Sequence, residues 1–170
     1  MIDAPEETTN IRVINKLIAD YKKASIIVYS EYNDSVLIKE LTEFAGDEAG
    51  WQAAALDKAV DSPAVVLSTP SAAQAWAGVV AEPLVFPDSN GVKLLDPFIK
   101  DWEQVQIQKV SDIIRTGFVT GRTNNQITQD IAGKGGYLQN QNRKSIKSMV
   151  RTATTHTSNL ARQATFNAND

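Results

Sequence analysis

The single histidine of the chain is the first place to look for catalysis. His156 stands in the run RTATTHTSN, with hydroxyl side chains on both sides. A catalytic site of the Ser-His-Asp type needs a nucleophile beside the histidine and a fixed carboxylate that orients the imidazole. Neither the nucleophile nor the carboxylate can be placed in this sequence. We therefore interpret His156 as a surface or interface residue.

The carboxylates and glycines also lack the spacing of a catalytic site. Asp57 and Asp61 would stack one helical turn apart, and Asp47 and Glu48 fall in a predicted turn, where carboxylates are usually solvated. The run GKGG at 133–136 follows a predicted helix and lacks the GxxxxGK[ST] pattern of a phosphate loop. The absence of cysteine and the single histidine exclude thiolate and multi-histidine metal sites. We expect neither enzymatic activity nor a cofactor.

The net charge of −3 conceals a difference between the two halves of the chain. Residues 1–100 hold 15 acidic and 8 basic side chains, whereas residues 101–170 hold 5 and 9. This asymmetry indicates different binding partners for the two ends. No apolar run approaches the about 20 residues of a membrane span, and the polar, acidic N-terminus does not resemble a signal peptide. We expect a protein that is made in the cytoplasm and stays soluble, without a membrane partner.

The helical pattern is clearest at residues 137–170, which contain neither proline nor glycine. Apolar or small side chains recur there at steps of three, four and seven, which places them on one helical face. These residues are Ile146, Met149, Val150, Ala153, Leu160, Ala161, Ala164 and Ala168. The opposite face carries Arg143, Lys144, Lys147, Arg151 and Arg162.

The front half also has helical spacing, from Ile11 onward, after a loose arm at residues 1–9. The polar cluster 33–35 either breaks this first helix or starts a second one. Gly46 and Gly50 bracket a predicted turn, and a further helix is expected over 51–60.

Residues 63–97 combine extended and loop signals with two predicted helix starts. Residues 63–69 fit a short strand or an extended linker, and the proline-rich loop 81–97 has room for a hairpin. The pairs Thr69-Pro70 and Asp96-Pro97 each resemble a helix cap followed by proline at the first helical position.

The long helix that starts at Pro97 is expected to stop at Gly121. Thr123 and Gln126 then form a predicted capping box for a short helix. Together these patterns predict an all-α fold with a small hairpin or extended segment near residues 63–95. The expected domains are a helical lobe at 1–80, a linker at 81–96 and a helical core at 97–170.

One alternative function is a helix-turn-helix DNA-binding regulator that uses residues 123–150. A short helix precedes a glycine turn and a basic helix, and recognition helices carry polar and basic residues at their N-terminal ends. The residues that would contact bases are Gln139, Asn140, Gln141, Asn142 and Arg143. The turn is longer than the usual three or four residues, and the following helix is long for a compact reader.

A second set of motifs runs through the back half in a fixed order. The run IIRTGFVTGRTNNQITQDIAG and a glycine break are followed by Arg151-Thr152, Asn159 and Ala161-Arg162. In this order the motifs resemble the minor head, or head morphogenesis, proteins of tailed bacteriophages, the Mu F-like family. The resemblance covers about residues 97–170. Ala153 stands where that family commonly has an acidic residue, and its members usually continue past this helix into a small further domain.

The resemblance implies a structural protein of the virion that is bound near the portal vertex, in multiple copies. Such proteins assist head assembly and the packaging or ejection of DNA, and none of their residues transfers as catalytic. The implied partners are the portal protein and other head proteins, with non-specific contact to packaged DNA. The residues expected to face a partner or DNA are Arg143, Lys144, Lys147, Arg151, Thr152, Asn159 and Arg162.

Overall fold

A computed structural model describes residues 5–60, 62, 65–85 and 91–170. In these ranges the helices are α1 (Pro5–Tyr32), α2 (Ile38–Val60), α3 (Ala72–Ala81), α4 (Leu95–Val119), α5 (Asn124–Ala132) and α6 (Arg143–Asn167). Two short strands, β1 (Leu84–Val85) and β2 (Val92–Lys93), pair antiparallel. The predicted all-α fold, with a small hairpin near residues 63–95, is confirmed. The tip of the hairpin lies outside the described residues.

The predicted loose arm at residues 1–9 is wrong for residues 5–9, and residues 1–4 lie outside the described residues. Helix α1 already begins at Pro5, so residues 5–9 belong to it. The hypothesis that the cluster at 33–35 ends the first helix or starts a second one is partly right: α1 ends at Tyr32, residues Asn33–Leu37 form a π-helical segment without a side-chain cap, and α2 begins at Ile38. The backbone N–H of Ile38 donates to the carbonyl of Asn33, which keeps the hydrogen-bonded ladder continuous.

The predicted turn between Gly46 and Gly50 is also wrong, because both glycines lie inside α2. Glycine weakens a helix by about 1 kcal/mol relative to alanine, yet packing outweighs this cost here. Ala45 and Ala49 are fully buried. A Cβ atom on Gly46 would lie only 2.7 Å from the Cβ of Ala72, so this glycine lets α3 approach α2 closely.

The observed helix ends confirm some of the predicted caps and contradict others. The capping box of Thr123 and Gln126 is confirmed, and Gly121, with a φ of 70°, follows the end of α4 as predicted. The prediction of Thr69 as a cap is wrong, because Ser71 caps α3 in a capping box with Gln74. Asp96 is not a cap either, because it lies in the first turn of α4, where it binds Lys100 at 2.8 Å.

The chain divides into two compact units, each built from two separate stretches. Unit 1 comprises Met1–Glu31 and Asp101–Lys147, and unit 2 comprises Tyr32–Lys100 and Ser148–Asp170. These units differ from the predicted domains 1–80, 81–96 and 97–170, which follow sequence order. Unit 1 departs from sequence order because Ile18 of α1 packs in one core with residues far along the chain. These residues are Val110, Ile114, Ile127 and Tyr137.

Candidate interaction surface on α6

In unit 2, one face of α6 is buried through residues at every fourth position. Most of them are small, and they are Met149, Ala153, Thr157, Ala161 and Thr165. The hydroxyl of Thr165 donates to the carbonyl of Ala49 in α2 at 3.2 Å, so these two backbones pass close to each other. The predicted apolar face is thus partly right, since Met149, Ala153 and Ala161 are buried. Thr157 and Thr165 were not predicted to be buried.

Arg162 is anchored within unit 2. Its Nε donates to the carboxylate of Glu48, and its guanidinium lies 5.4 Å from the ring centroid of Trp51. Neither partner was predicted from the sequence, because Gly46 and Gly50 were expected to bracket a turn. In a continuous α2, Glu48 and Trp51 are three residues apart and therefore neighbours on the helix surface.

Three more of the predicted residues lie on the same stretch of α6. Arg151 and Asn159 are exposed, and Thr152 is half-buried. Arg151 and Asn159 are eight residues apart, so they share one side of the helix. Their side chains have no ion pair or hydrogen bond within the described part of unit 2. They can therefore contact a partner without first breaking such an interaction.

His156 has a structural partner in the same unit. Its Nε2 atom lies 3.2 Å from the carbonyl oxygen of Val79 in α3. Residue 83 would normally donate to this carbonyl, but it is a proline and has no N–H. Because Val79 is fully buried, the imidazole replaces the missing donor. This contact gives His156 a role in packing.

The other predicted cations, Arg143, Lys144 and Lys147, belong to unit 1. All three are exposed in the first turns of α6. Lys144 lines an open groove of about 790 Å³ that also borders the ion pair between Arg122 and Asp130, whose N···O distance is 2.6 Å. Both cationic and anionic side chains line the groove, so it is not a purely basic surface.

Three of the five polar residues assigned to base contacts in the helix-turn-helix alternative bind groups of unit 1. Asn142 is 5% exposed, and its amide nitrogen lies 3.4 Å from the hydroxyl of Tyr29. The amides of Asn140 and Gln139 donate to the carbonyls of Gly135 at 3.2 Å and Ala132 at 3.5 Å. Asn140 and Gln139 thus hold the glycine turn, and Asn142 is bound to α1, so contact with bases would compete with these roles.

A buried polar cluster at the start of α6 has no counterpart in the sequence analysis. Gln106, 1% exposed, accepts a hydrogen bond from the hydroxyl of Tyr137 and donates one to Ser145 at 3.0 Å. Trp102 donates to the same Ser145 hydroxyl at 2.8 Å. Burial raises the pKa of Tyr137 above its ordinary value of 10.0, and the nearby Tyr29 adds to this rise. The cluster fixes the π-helical segment Leu138–Asn142 that precedes α6.

Asp57 is exposed at the surface, and Asp61 lies outside the described residues. Among the residues that the structure describes, no group of three His, Asp or Glu side chains is placed to hold a metal ion. No helix in the described part of the chain is both long and apolar enough to cross a bilayer.

Comparison of the chain with models of known protein families gives no match, and comparisons with curated proteins and with solved structures give none either. The resemblance to the Mu F-like family therefore depends on the motifs of the sequence alone.

Proposed function

We propose that the protein is a structural minor head protein of a tailed phage, located in the virion. It binds the portal protein or neighbouring head proteins near the portal vertex and assists head assembly and DNA packaging or ejection. The observation that carries this proposal is the position of the Arg151-Thr152, Asn159 and Ala161-Arg162 motifs along α6. Ala161 and Arg162 attach this helix to unit 2, whereas Arg151 and Asn159 point away from it and are open to a partner.

The test is co-purification of the full chain with the portal protein encoded in the same genome. We expect a stable complex that Arg151→Glu combined with Asn159→Ala weakens about tenfold or more, as truncation of contacting residues commonly does. Lys58→Ala, at an exposed position of α2 in the same unit, is the matched control and should bind like the parent. A chain that binds neither portal protein nor assembled heads would contradict the proposal.

The helix-turn-helix alternative predicts a different result. A regulator would bind one duplex sequence in preference to others, with an affinity that falls steeply as salt rises. The internal contacts of Asn142, Asn140 and Gln139 argue against base reading. Equal affinity for many duplexes would eliminate this alternative, whereas a marked preference for one would favour it over the structural role.

A further inference from the structure

Helix α1 of unit 1 carries an exposed apolar stripe that no described residue of this unit covers. Exposed cations flank these apolar residues, and we call the apolar residues together with those cations the basic stripe. Its apolar members recur mainly at steps of four and seven, and they are Val13, Leu17, Ala24, Ile27 and Val28. The exposed fractions reach 59% for Val13 and 64% for Val28. Contiguous exposed apolar patches on a protein surface mark sites where a partner binds.

The charges beside this stripe are mostly positive. Arg12, Lys16 and Lys23 are exposed along one border, and none forms an ion pair with another described residue. Asp20 is the single acidic residue among them. Residues 11–31 of α1 carry four basic and two acidic side chains. The stripe therefore fits an acidic partner surface.

Helix α2 of unit 2 carries a surface of the opposite sign, which we call the acidic face. It comprises the exposed residues Glu40, Glu43, Asp47, Trp51 and Ala54. Trp51 is 61% exposed even though Arg162 lies over its ring. Tryptophan is enriched among the residues that contribute most to binding at protein interfaces.

A groove continues the acidic face at its C-terminal end. It has a volume of about 430 Å³, with small residues of α2, including Gly50 and Ala54, on one side. Val65 and Val66 form the other side, and Val66 is 94% exposed. A groove between small side chains and exposed valines accepts aliphatic side chains of an approaching helix.

We propose that the protein assembles head to tail, with the basic stripe of one copy packed on the acidic face of a second copy. The two surfaces agree in length, because Val13 to Val28 spans about 22 Å and Glu40 to Ala54 about 21 Å at 1.5 Å per residue. With the helices parallel, Arg12 and Lys16 meet the acidic end of α2. Ile27 and Val28 then enter the groove.

Charge selects this arrangement over a symmetric pair. Two basic stripes repel each other, as do two acidic faces, so a contact between identical surfaces is disfavoured. A contact between different surfaces leaves one stripe and one face free on the outer copies, and such contacts build rings or filaments. The inference does not depend on the proposed function, because it requires only a second copy of this chain.

The experiment is sedimentation velocity of the full chain over a range of concentrations at low and high salt. We expect oligomers whose association weakens with salt, because the attraction between exposed charges is screened. The stripe variant Arg12→Glu with Lys16→Glu, and the face variant Glu40→Lys with Glu43→Lys, should each associate at least tenfold more weakly. Arg115→Glu, an exposed change on α4, is the control and should behave like the parent.

Charge exchange provides the decisive comparison. A chain with all four substitutions has complementary surfaces again, and a mixture of the two variants also offers matched pairs, so both should regain assembly. All substitutions are at exposed positions, and circular dichroism verifies that the helices form. A parent chain that is monomeric at every concentration would overturn the inference. Association that strengthens with salt, or variants whose combination fails to restore assembly, would do the same.

Discussion

At the scale of single residues, Pro83 explains why His156 is hydrogen-bonded to the carbonyl of Val79. Pro83 cannot donate to the carbonyl of Val79, and His156 does so from α6. A carbonyl oxygen can only accept, so Nε2 is the donor in this hydrogen bond. The histidine acts here as a packed donor.

Replacing this donor should destabilise the protein. We expect His156→Phe to lower the free energy of unfolding in urea by about 1–3 kcal/mol, because the buried carbonyl of Val79 loses its donor. Thr155→Ala, at the exposed neighbouring position, should change it by less than about 0.5 kcal/mol. Equal stabilities of the two variants would show that His156 has no such role.

The buried Tyr137 should make stability depend on alkaline pH. Its pKa is raised in the folded state, chiefly by burial, whereas the unfolded value is near 10.0. The stabilising contribution is therefore complete below pH 10 and is lost as pH rises through the folded pKa. The pKa of Tyr21 is raised by burial as well, so part of this dependence should remain when Tyr137 is replaced.

Unfolding midpoints measured from neutral pH to above pH 10 should decline less steeply for Tyr137→Phe than for the parent. At neutral pH this variant should lose about 0.5–1.5 kcal/mol with its hydrogen bond to Gln106. Tyr32→Phe, at a position 48% exposed, is the control. An unchanged alkaline slope in Tyr137→Phe would refute this source of the pH dependence.

At the scale of elements, the two glycines of α2 have opposite surroundings. Gly46 faces Ala72 of α3 with no room for a Cβ atom, whereas a Cβ on Gly50 would meet nothing within 4 Å. We expect Gly46→Ala to lower stability by about 1–3 kcal/mol through overpacking, in spite of alanine's better helix propensity. Gly50→Ala should raise stability by up to about 1 kcal/mol. Thermal unfolding in dilute solution measures both, and effects of the same sign would contradict the close contact of α2 and α3.

The π-helical segments also belong to the scale of elements. Asn33–Leu37 and Leu138–Asn142 each precede an α-helix, and each contains a buried asparagine, Asn33 or Asn142. Sequence patterns indicated caps or the start of a helix at these places. Asparagine is common at both caps and turns, so its presence alone does not distinguish a capped break from a widened helical turn.

At the scale of the whole molecule, each compact unit combines segments that are distant in sequence. Unit 1 joins α1 to most of α4 and to α5, and unit 2 joins α2 and α3 to most of α6. The acidic face lies in unit 2 and the basic stripe in unit 1. Both surfaces lie within residues 1–100, so the opposite charges on which the proposed head-to-tail assembly depends do not coincide with the charge asymmetry between the two halves of the sequence.

The sequence by itself determined the all-α class, the capping box at Thr123, the stop at Gly121 and the helical face of Met149, Ala153 and Ala161. These features depend on local hydrogen bonding, backbone preference and helical period, all of which nearby residues control. Only the tertiary structure decided that Gly46 lies within a helix, that Arg162 binds Glu48, and that His156 donates a hydrogen bond to the carbonyl of Val79. Each of these outcomes depends on residues far apart in the chain, whose packing outweighs local propensity.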